Sequence, residues 1–237
     1  MGSDWVLILP PGCGEPAGPG RKTPFGPVQE LPGDGPLTLI RSEGTDPRAL
    51  IYAAKEAGGR RVLAADVAAP VSRLLEPGDL VVPGDVIDLT RLRPFTFFAG
   101  KGYGFIKLNP PFCPDLMALC LEAAREITPR TFAQGVYVGV EGPRDPTPAE
   151  LRMCRQWGGD LAGTGLLPEA YLARELELCY GAVTVVGTDP QPAAAVLRRV
   201  AGQKEAHRLP CTCGETMRSL REQGIVPEDW RSWITLP

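Results

Sequence analysis

Short apolar runs recur along the chain, separated by glycine- and proline-rich turns and interleaved with segments of helical period. DWVLIL predicts a first strand, and the PPGCGEPAGPG that follows carries too many glycines and prolines for regular structure. PLTLI predicts a second strand ending at Arg41. DPRALIYAAKEAGG then reads as a helix in which Asp46 caps, Pro47 takes the first helical position, and Gly58 and Gly59 follow the last turn. That helix feeds RVLAADVAAP, where VLAA is a strand and the carboxylate of Asp66 stands at its apparent end. A strand–helix–strand order of this kind predicts a sheet covered by helices. EPGDLVVPGDVIDLT predicts a turn and two short strands, and PDLMALCLEAAREI places Leu116, Leu119, Cys120, Ala123 and Ile127 on one face of an amphipathic helix. QGVYVGVEGPRDPTPAE predicts a strand broken at Gly-Pro, then a helix start with Thr147 as cap, Pro148 at the first position and Glu150 completing a capping box; Gly158 and Gly159 close that helix. PEAYLAREL predicts a helix, LCYGAVTVVG a buried strand, and PAAAVLRRVAG and GETMRSLREQG two final helices.

Composition narrows the function. With 237 residues, 43% hydrophobic and 22% charged, the chain has the make-up of one folded domain rather than a disordered segment. A formal charge of −3 with acidic and basic residues interspersed gives no basic stripe for a nucleic acid, and no apolar run is long enough for a membrane helix. MGSDWVLIL lacks the pattern of a secretory signal, so the cytoplasm is the expected compartment. The seven cysteines do not resemble the framework of a small secreted scaffold. Cys211 and Cys213 in CTCG have a single residue between them, shorter than usual zinc spacing, with the one histidine, His207, just upstream. They are read as ordinary thiols in a turn, a metal site being the lesser alternative, and no cofactor is expected.

Several linked stretches together resemble one known family. TPFG, ALIYAAKEAG, EPGDLVVPGDVIDLTRLRPFTFF, PFCP, VEGPR and WGGDLAGTGLLPEAYLARELELCY, in this order, resemble the methylthioadenosine phosphorylase branch of the purine nucleoside phosphorylase family. The resemblance implies an α/β fold: a single domain over residues 1–237, a mixed sheet forming a distorted barrel wrapped by helices, and a C-terminal lobe shortened from about residue 192. It further implies a trimer with active sites near subunit boundaries, and cleavage of the bond between ribose C1′ and a purine nitrogen with transfer of the ribose to phosphate.

Such a reaction needs stabilisation of an oxocarbenium-like ribose, a hydrogen bond to the departing purine, and a held anion below C1′. At the phosphate site the family's glycine- and hydroxyl-bearing loop is PPGCG here, and its Arg-His pair is Arg41-Ser42. Its phosphate-binding threonine aligns with Asp66. Two like charges about 4 Å apart repel by roughly 4 kcal/mol at an effective dielectric of about 20, close to a thousandfold in affinity, which argues against phosphate as nucleophile. Three roles for Asp66 follow: a pair with Arg41 filling an abandoned site, a general base positioning water beneath C1′, or recognition of a cationic or hydroxyl-rich group. On the base side, Glu141 and Arg144 of VEGPR are expected to pair, while the stacking aromatic is replaced by Asp145. In GTGLLPE the ribose-facing methionine becomes Thr164 and the next phosphate-binding residue Gly165, whereas Pro168 and Glu169 match the family and suit a helix start. The purine-proton aspartate corresponds to Thr188 by ungapped count and to Asp189 if a one-residue strand irregularity intervenes; a turn role for Asp189 is the alternative. Phe105, Trp230 and Trp233 are candidates for an apolar pocket or for core.

The resemblance thus implies cleavage of a purine nucleoside by Asp66 and Asp189, with Arg41, Asp145, Thr164, Gly165 and Thr188 binding substrate and water or phosphate as nucleophile. The alternative is a degenerate nucleoside-binding or structural subunit. Either assembles as a homotrimer or as a hetero-oligomer with an active relative.

Overall fold

WVLIL, Trp5–Leu9, is buried at every position, as befits a parallel strand covered on both faces, and forms β1. The computed structural model describes residues 4–16, 18–100, 106–203 and 210–235. After β1 come a hairpin, β2 (Arg21–Thr23) and β3 (Gly26–Leu31), then β4 (Leu37–Ile40), α1 (Pro47–Glu56), β5 (Arg61–Pro70) and β6 (Leu80–Asp88). The chain continues through α2 (Pro114–Ile127), β7 (Thr131–Gly139), α3 (Pro148–Gln156), β8 (Leu161–Gly163), α4 (Glu169–Glu175), β9 (Cys179–Val186) and α5 (Gln191–Ala201). It ends in two short helices, α6 (Arg218–Glu222) and α7 (Ser232–Thr235).

Among the described residues the strands form one sheet in the order β2-β3-β4-β1-β5-β8-β7-β6-β9, and β9 returns to pair with β5. That last pairing closes β5, β8, β7, β6 and β9 into a five-stranded ring, leaving β1 to β4 as an open arm. β5 runs parallel to β1 and β9 and antiparallel to β8, so the sheet is mixed. Helices α1 and α4 pack in one apolar cluster with Leu50, Ile51, Ala170 and Leu172, while α2 and α5 pack in another with Leu116, Leu119, Val196 and Leu197. This is the α/β mixed-sheet architecture, barrel and helical cover included, that the family resemblance implies.

Along one edge, β5 is paired with β9 continuously from Arg61 to Ala68. Along the other it is shared: β1 takes Arg61 to Ala64 and β8 takes Ala68 to Pro70. Ala65, Asp66 and Val67 lie where these two neighbours part, at a fork between arm and ring.

Several local expectations hold, including the Asp46 cap and the full Thr147–Glu150 capping box. Others are corrected. The strand does not end at Asp66 but continues to Pro70, because β8 supplies a new partner beyond the fork. The two short strands expected after Asp79 are one strand, β6, whose irregular register around Pro83 absorbs the missing N–H of the proline. Ile127 is partly exposed at the end of α2 rather than core. The hairpin β2–β3 and the three-residue β8 were not legible, and the GETMRSLREQG helix is only the five residues of α6 after a short 3₁₀ turn.

Candidate functional site

The fork is filled by a closed polar cluster. Arg41 directly follows β4, and its backbone N–H donates to Leu9 O at 2.8 Å. Its guanidinium donates from Nη1 to Ala65 O at 3.0 Å, satisfying a carbonyl in the segment of β5 between its two partners. The rest of the fork grips Glu169 bidentately, Nε to Oε1 at 2.6 Å and Nη2 to Oε2 at 2.9 Å, and Tyr180 Oη donates to Glu169 Oε2 at 2.8 Å. Asp66 Oδ2 accepts from Tyr137 Oη at 2.6 Å and from the Gly165 N–H at 3.1 Å, while Oδ1 lies 3.8 Å from Arg41 Nη1. Tyr137 Oη itself accepts from Gly165 N–H at 3.0 Å and Leu166 N–H at 3.4 Å.

Asp66 is 3% exposed and Glu169 1% exposed, so the cluster holds two carboxylates and one cation largely out of water. Burial raises the Asp66 carboxyl above its ordinary value, opposed by Arg41, Tyr137 and Gly165. Burial disfavours the Arg41 cation, but Glu169 and then Asp66 outweigh it and hold the guanidinium charged. Tyr137 and Tyr180 are pushed far up by burial and by the adjacent carboxylates, and remain phenols that donate.

Two glycines make room for this. A Cβ at Gly165 would stand 2.5 Å from Asp66 Oδ1 and 2.6 Å from Arg41 Nη1; one at Gly163 would stand 2.6 Å from both Asp66 Oδ2 and Tyr137 Oη. The Asp66 carboxylate therefore occupies space that side chains at positions 163 and 165 would claim. It also takes the N–H at Gly165, a position where the resemblance places a phosphate contact.

Other residues singled out in the sequence lie away from this cluster's interior. Thr164 is exposed and its carbonyl accepts from Arg93, which also donates to Leu167 O at 2.9 Å and Val140 O at 3.1 Å. Asp145 is exposed, with only its backbone oxygen engaged by Arg144 at 3.2 Å. The expected Glu141–Arg144 pair does not form: Glu141 pairs with Arg93 at 3.0 Å and Arg144 with Glu150 at 2.7 Å, because Glu150 is brought round by the capping box. Thr188 and Asp189 are both exposed, and Asp189 Oδ1 accepts from Gln191 N–H at 3.0 Å in the turn that opens α5. β9 shows no shift of register against β5, so the one-residue irregularity that would bring Asp189 into line is absent within the strand. The PPGCG loop is held from α5, by Gln191 Nε2 to Gly12 O at 2.7 Å and Arg198 Nη2 to Cys13 O at 3.1 Å. Trp230 and Trp233 pack on Phe98 as core, and Phe105 and His207 lie outside the described residues. Cys211 and Cys213, expected as ordinary thiols in a turn with a metal site as the lesser alternative, converge with Cys113 and Cys179, away from the fork.

Comparison with known proteins fits the same architecture. Residues 31–208 match the profile of the Phosphorylase superfamily. The chain belongs to that superfamily. It is 35% identical over 197 residues to a probable 6-oxopurine nucleoside phosphorylase of Moorella thermoacetica, covering 82% of this chain and 75% of that protein. It is 36% identical to an S-methyl-5′-thioadenosine phosphorylase of Thermofilum pendens, over 70% of this chain and 62% of the relative. It is 42% identical to a probable S-methyl-5′-thioinosine phosphorylase of Methanopyrus kandleri, over 57% and 53%. The chain thus spans less than two thirds of the length of these last two relatives. A methylthioadenosine phosphorylase from an antarctic soil metagenomic library superposes with a TM-score of 0.72 at 22% identity, covering 95% of this chain and 99% of that one. The Schistosoma mansoni methylthioadenosine phosphorylase in complex with adenine gives 0.70 at 20%, covering 97% and 96%; both share the fold.

Within this phosphorylase-superfamily member, the sequence reading found Arg41, Asp66 and Gly165 but missed Tyr137 and Tyr180 and assigned Glu169 only to a helix start. The missed signal was a hydroxyl-bearing aromatic on an otherwise apolar buried strand, VYVG for Tyr137 and CYGAV for Tyr180, since a buried phenol needs an acceptor. Among the described residues no helix is long and apolar enough to cross a membrane.

Proposed function

We propose that this chain binds a purine nucleoside of the methylthioadenosine or 6-oxopurine class and does not use inorganic phosphate as a nucleophile. The observation that carries this reading is the Asp66 carboxylate seated between Arg41, Tyr137 and the Gly165 N–H. An anion entering there would have to displace a carboxylate from its own donors and would face a second one, Glu169, already holding Nε and Nη2 of Arg41. The purine and 5′-group specificities of the relatives come to this chain only as the class of ligand to try first.

The decisive experiment incubates the purified chain with methylthioadenosine, adenosine and inosine, each with and without phosphate, and follows base and sugar by mass spectrometry. No phosphate-dependent release is expected, alongside binding of at least one nucleoside. Asp66→Thr removes the internal anion and leaves the Gly165 N–H shared only with Tyr137 Oη, and is expected to create or strengthen phosphate binding. Strict phosphate dependence in the unaltered chain would overturn the proposal.

A second reading, hydrolysis, is favoured by one feature: burial raises the Asp66 carboxyl, the direction a general base near neutrality requires, and its Oδ1 makes no hydrogen bond shorter than the 3.8 Å ion pair to Arg41. Base and free ribose sugar released without phosphate, and lost in Asp66→Ala, would favour it over a binding role. For assembly we propose the homotrimer that the family resemblance implies; Leu92 (87% exposed) and Phe95 (66% exposed), on the segment that carries Arg93, are apolar surface that such an interface would cover.

A further inference from the structure

Four sulfur atoms from three distant parts of the chain meet on the side of the molecule where the C-terminal segment docks. Cys113 is the cap residue of α2, Cys179 is the first residue of β9, and Cys211 and Cys213 bracket one residue just before α6. Their Sγ atoms all lie within 4.8 Å of one another, with Cys179 and Cys211 at 3.6 Å, and all four are free thiols. A tetrahedral ion with metal–sulfur bonds of about 2.3 Å sets its sulfurs about 3.8 Å apart, whereas a disulfide needs about 2.05 Å. The quartet is loose for disulfides and close enough to contract onto one ion.

The backbone holds this arrangement from two sides. Cys113 N–H donates to Tyr180 O at 2.8 Å, tying the start of α2 to the start of β9, and Cys179 N–H donates to Arg60 O at 3.0 Å. Arg174 of α4, itself buried, donates Nη1 to Cys213 Sγ at 3.2 Å and Nη2 to Pro110 O at 2.9 Å. A guanidinium fixed on one sulfur is the outer support that a thiolate-rich centre, carrying net negative charge, requires. Among the described residues the group holds no carboxylate or histidine, so the donor set is four soft sulfurs, which select zinc over magnesium or calcium and suit a structural rather than a catalytic ion.

We propose that Cys113, Cys179, Cys211 and Cys213 form a four-thiolate site for one zinc ion that staples the C-terminal segment to α2 and β9. Binding displaces the protons remaining on the four thiols and requires no oxidant. The short C-x-C spacing is workable because Cys113 and Cys179 come from regular elements already fixed in space, so the C-terminal pair only has to close over them.

The test is metal analysis of the full chain, purified under reducing conditions without chelator. One zinc per chain is expected. Cys211→Ser and Cys179→Ser, at the two half-buried positions, are expected to lose it, while Cys154→Ser, elsewhere in the core, retains it. Should the serine variants fail to fold, cobalt reconstitution of the stripped wild-type chain gives a separate readout: sulfur-to-cobalt charge transfer with the visible bands of a tetrahedral thiolate centre. A metal-free chain whose four thiols react freely once denatured would overturn the proposal. So would a disulfide within the quartet, found by alkylation mass spectrometry, or iron in place of zinc.

Discussion

Removing the Tyr137 hydroxyl would strip Asp66 Oδ2 of its shortest hydrogen bond and leave the Leu166 N–H without the acceptor it has now. Because these groups are buried, Tyr137→Phe is expected to cost about 1–3 kcal/mol of stability and to raise the Asp66 carboxyl further; urea denaturation measures the first and the pH dependence of any turnover the second. Glu175 gives a prediction of opposite character. Burial pushes its carboxyl up to about 7, with the Thr96 hydroxyl and the Phe97 N–H offsetting only part of the rise from 4.5. The native state therefore holds this proton more tightly than the unfolded chain does. Its contribution is full below the unfolded value and is lost as pH rises through about 7, on the order of 3 kcal/mol in all. Denaturation at about pH 5 and about pH 8 should show the loss, and Glu175→Gln should flatten it; an unchanged slope in the variant would exclude Glu175 as its source.

The elements pack with little slack where β9 meets α2. A Cβ at Gly181 would fall 2.7 Å from Leu116 Cβ and 3.1 Å from Leu63 Cδ2, so Gly181→Ala is expected to destabilise by about 1–3 kcal/mol. Gly33→Ala, with nothing within 4 Å, should leave the thermal midpoint unchanged. Element identity was readable wherever one local signal dominated: the caps of α1 and α3 and the apolar run of β9 announce themselves. What stayed hidden depended on partners remote in sequence. Nothing within RVLAADVAAP says that β5 changes neighbours at Asp66, since the exchange of β1 for β8 is a fact of topology. The same holds for the candidate site. Asp66 stood out as a charge in an apolar run, but the donors from Tyr137 and Gly165 lie 71 and 99 residues further along the chain. Likewise the C-x-C pair looked incomplete only because Cys113 and Cys179 are joined to it by folding.

For the molecule as a whole, light scattering on the purified chain should give a trimer, and Leu92→Glu with Phe95→Glu should shift it toward monomer by placing charge on the exposed apolar segment. A monomer in the unaltered chain would remove the homotrimer proposal without touching the fold. The ring has its own bearing on how the molecule is made. Its closing seam joins β5, in the first third of the chain, to β9, near residue 186, over eight residue pairs. During synthesis the arm of β1 to β4 can form early with β5, because its contacts are near neighbours. The seam cannot form until Cys179–Val186 has left the ribosome, and until then one side of β5 and one side of β6 stand open. Closure of the ring is thus a late, long-range event, and a nascent chain stalled just short of β9 is a species exposed to misassembly.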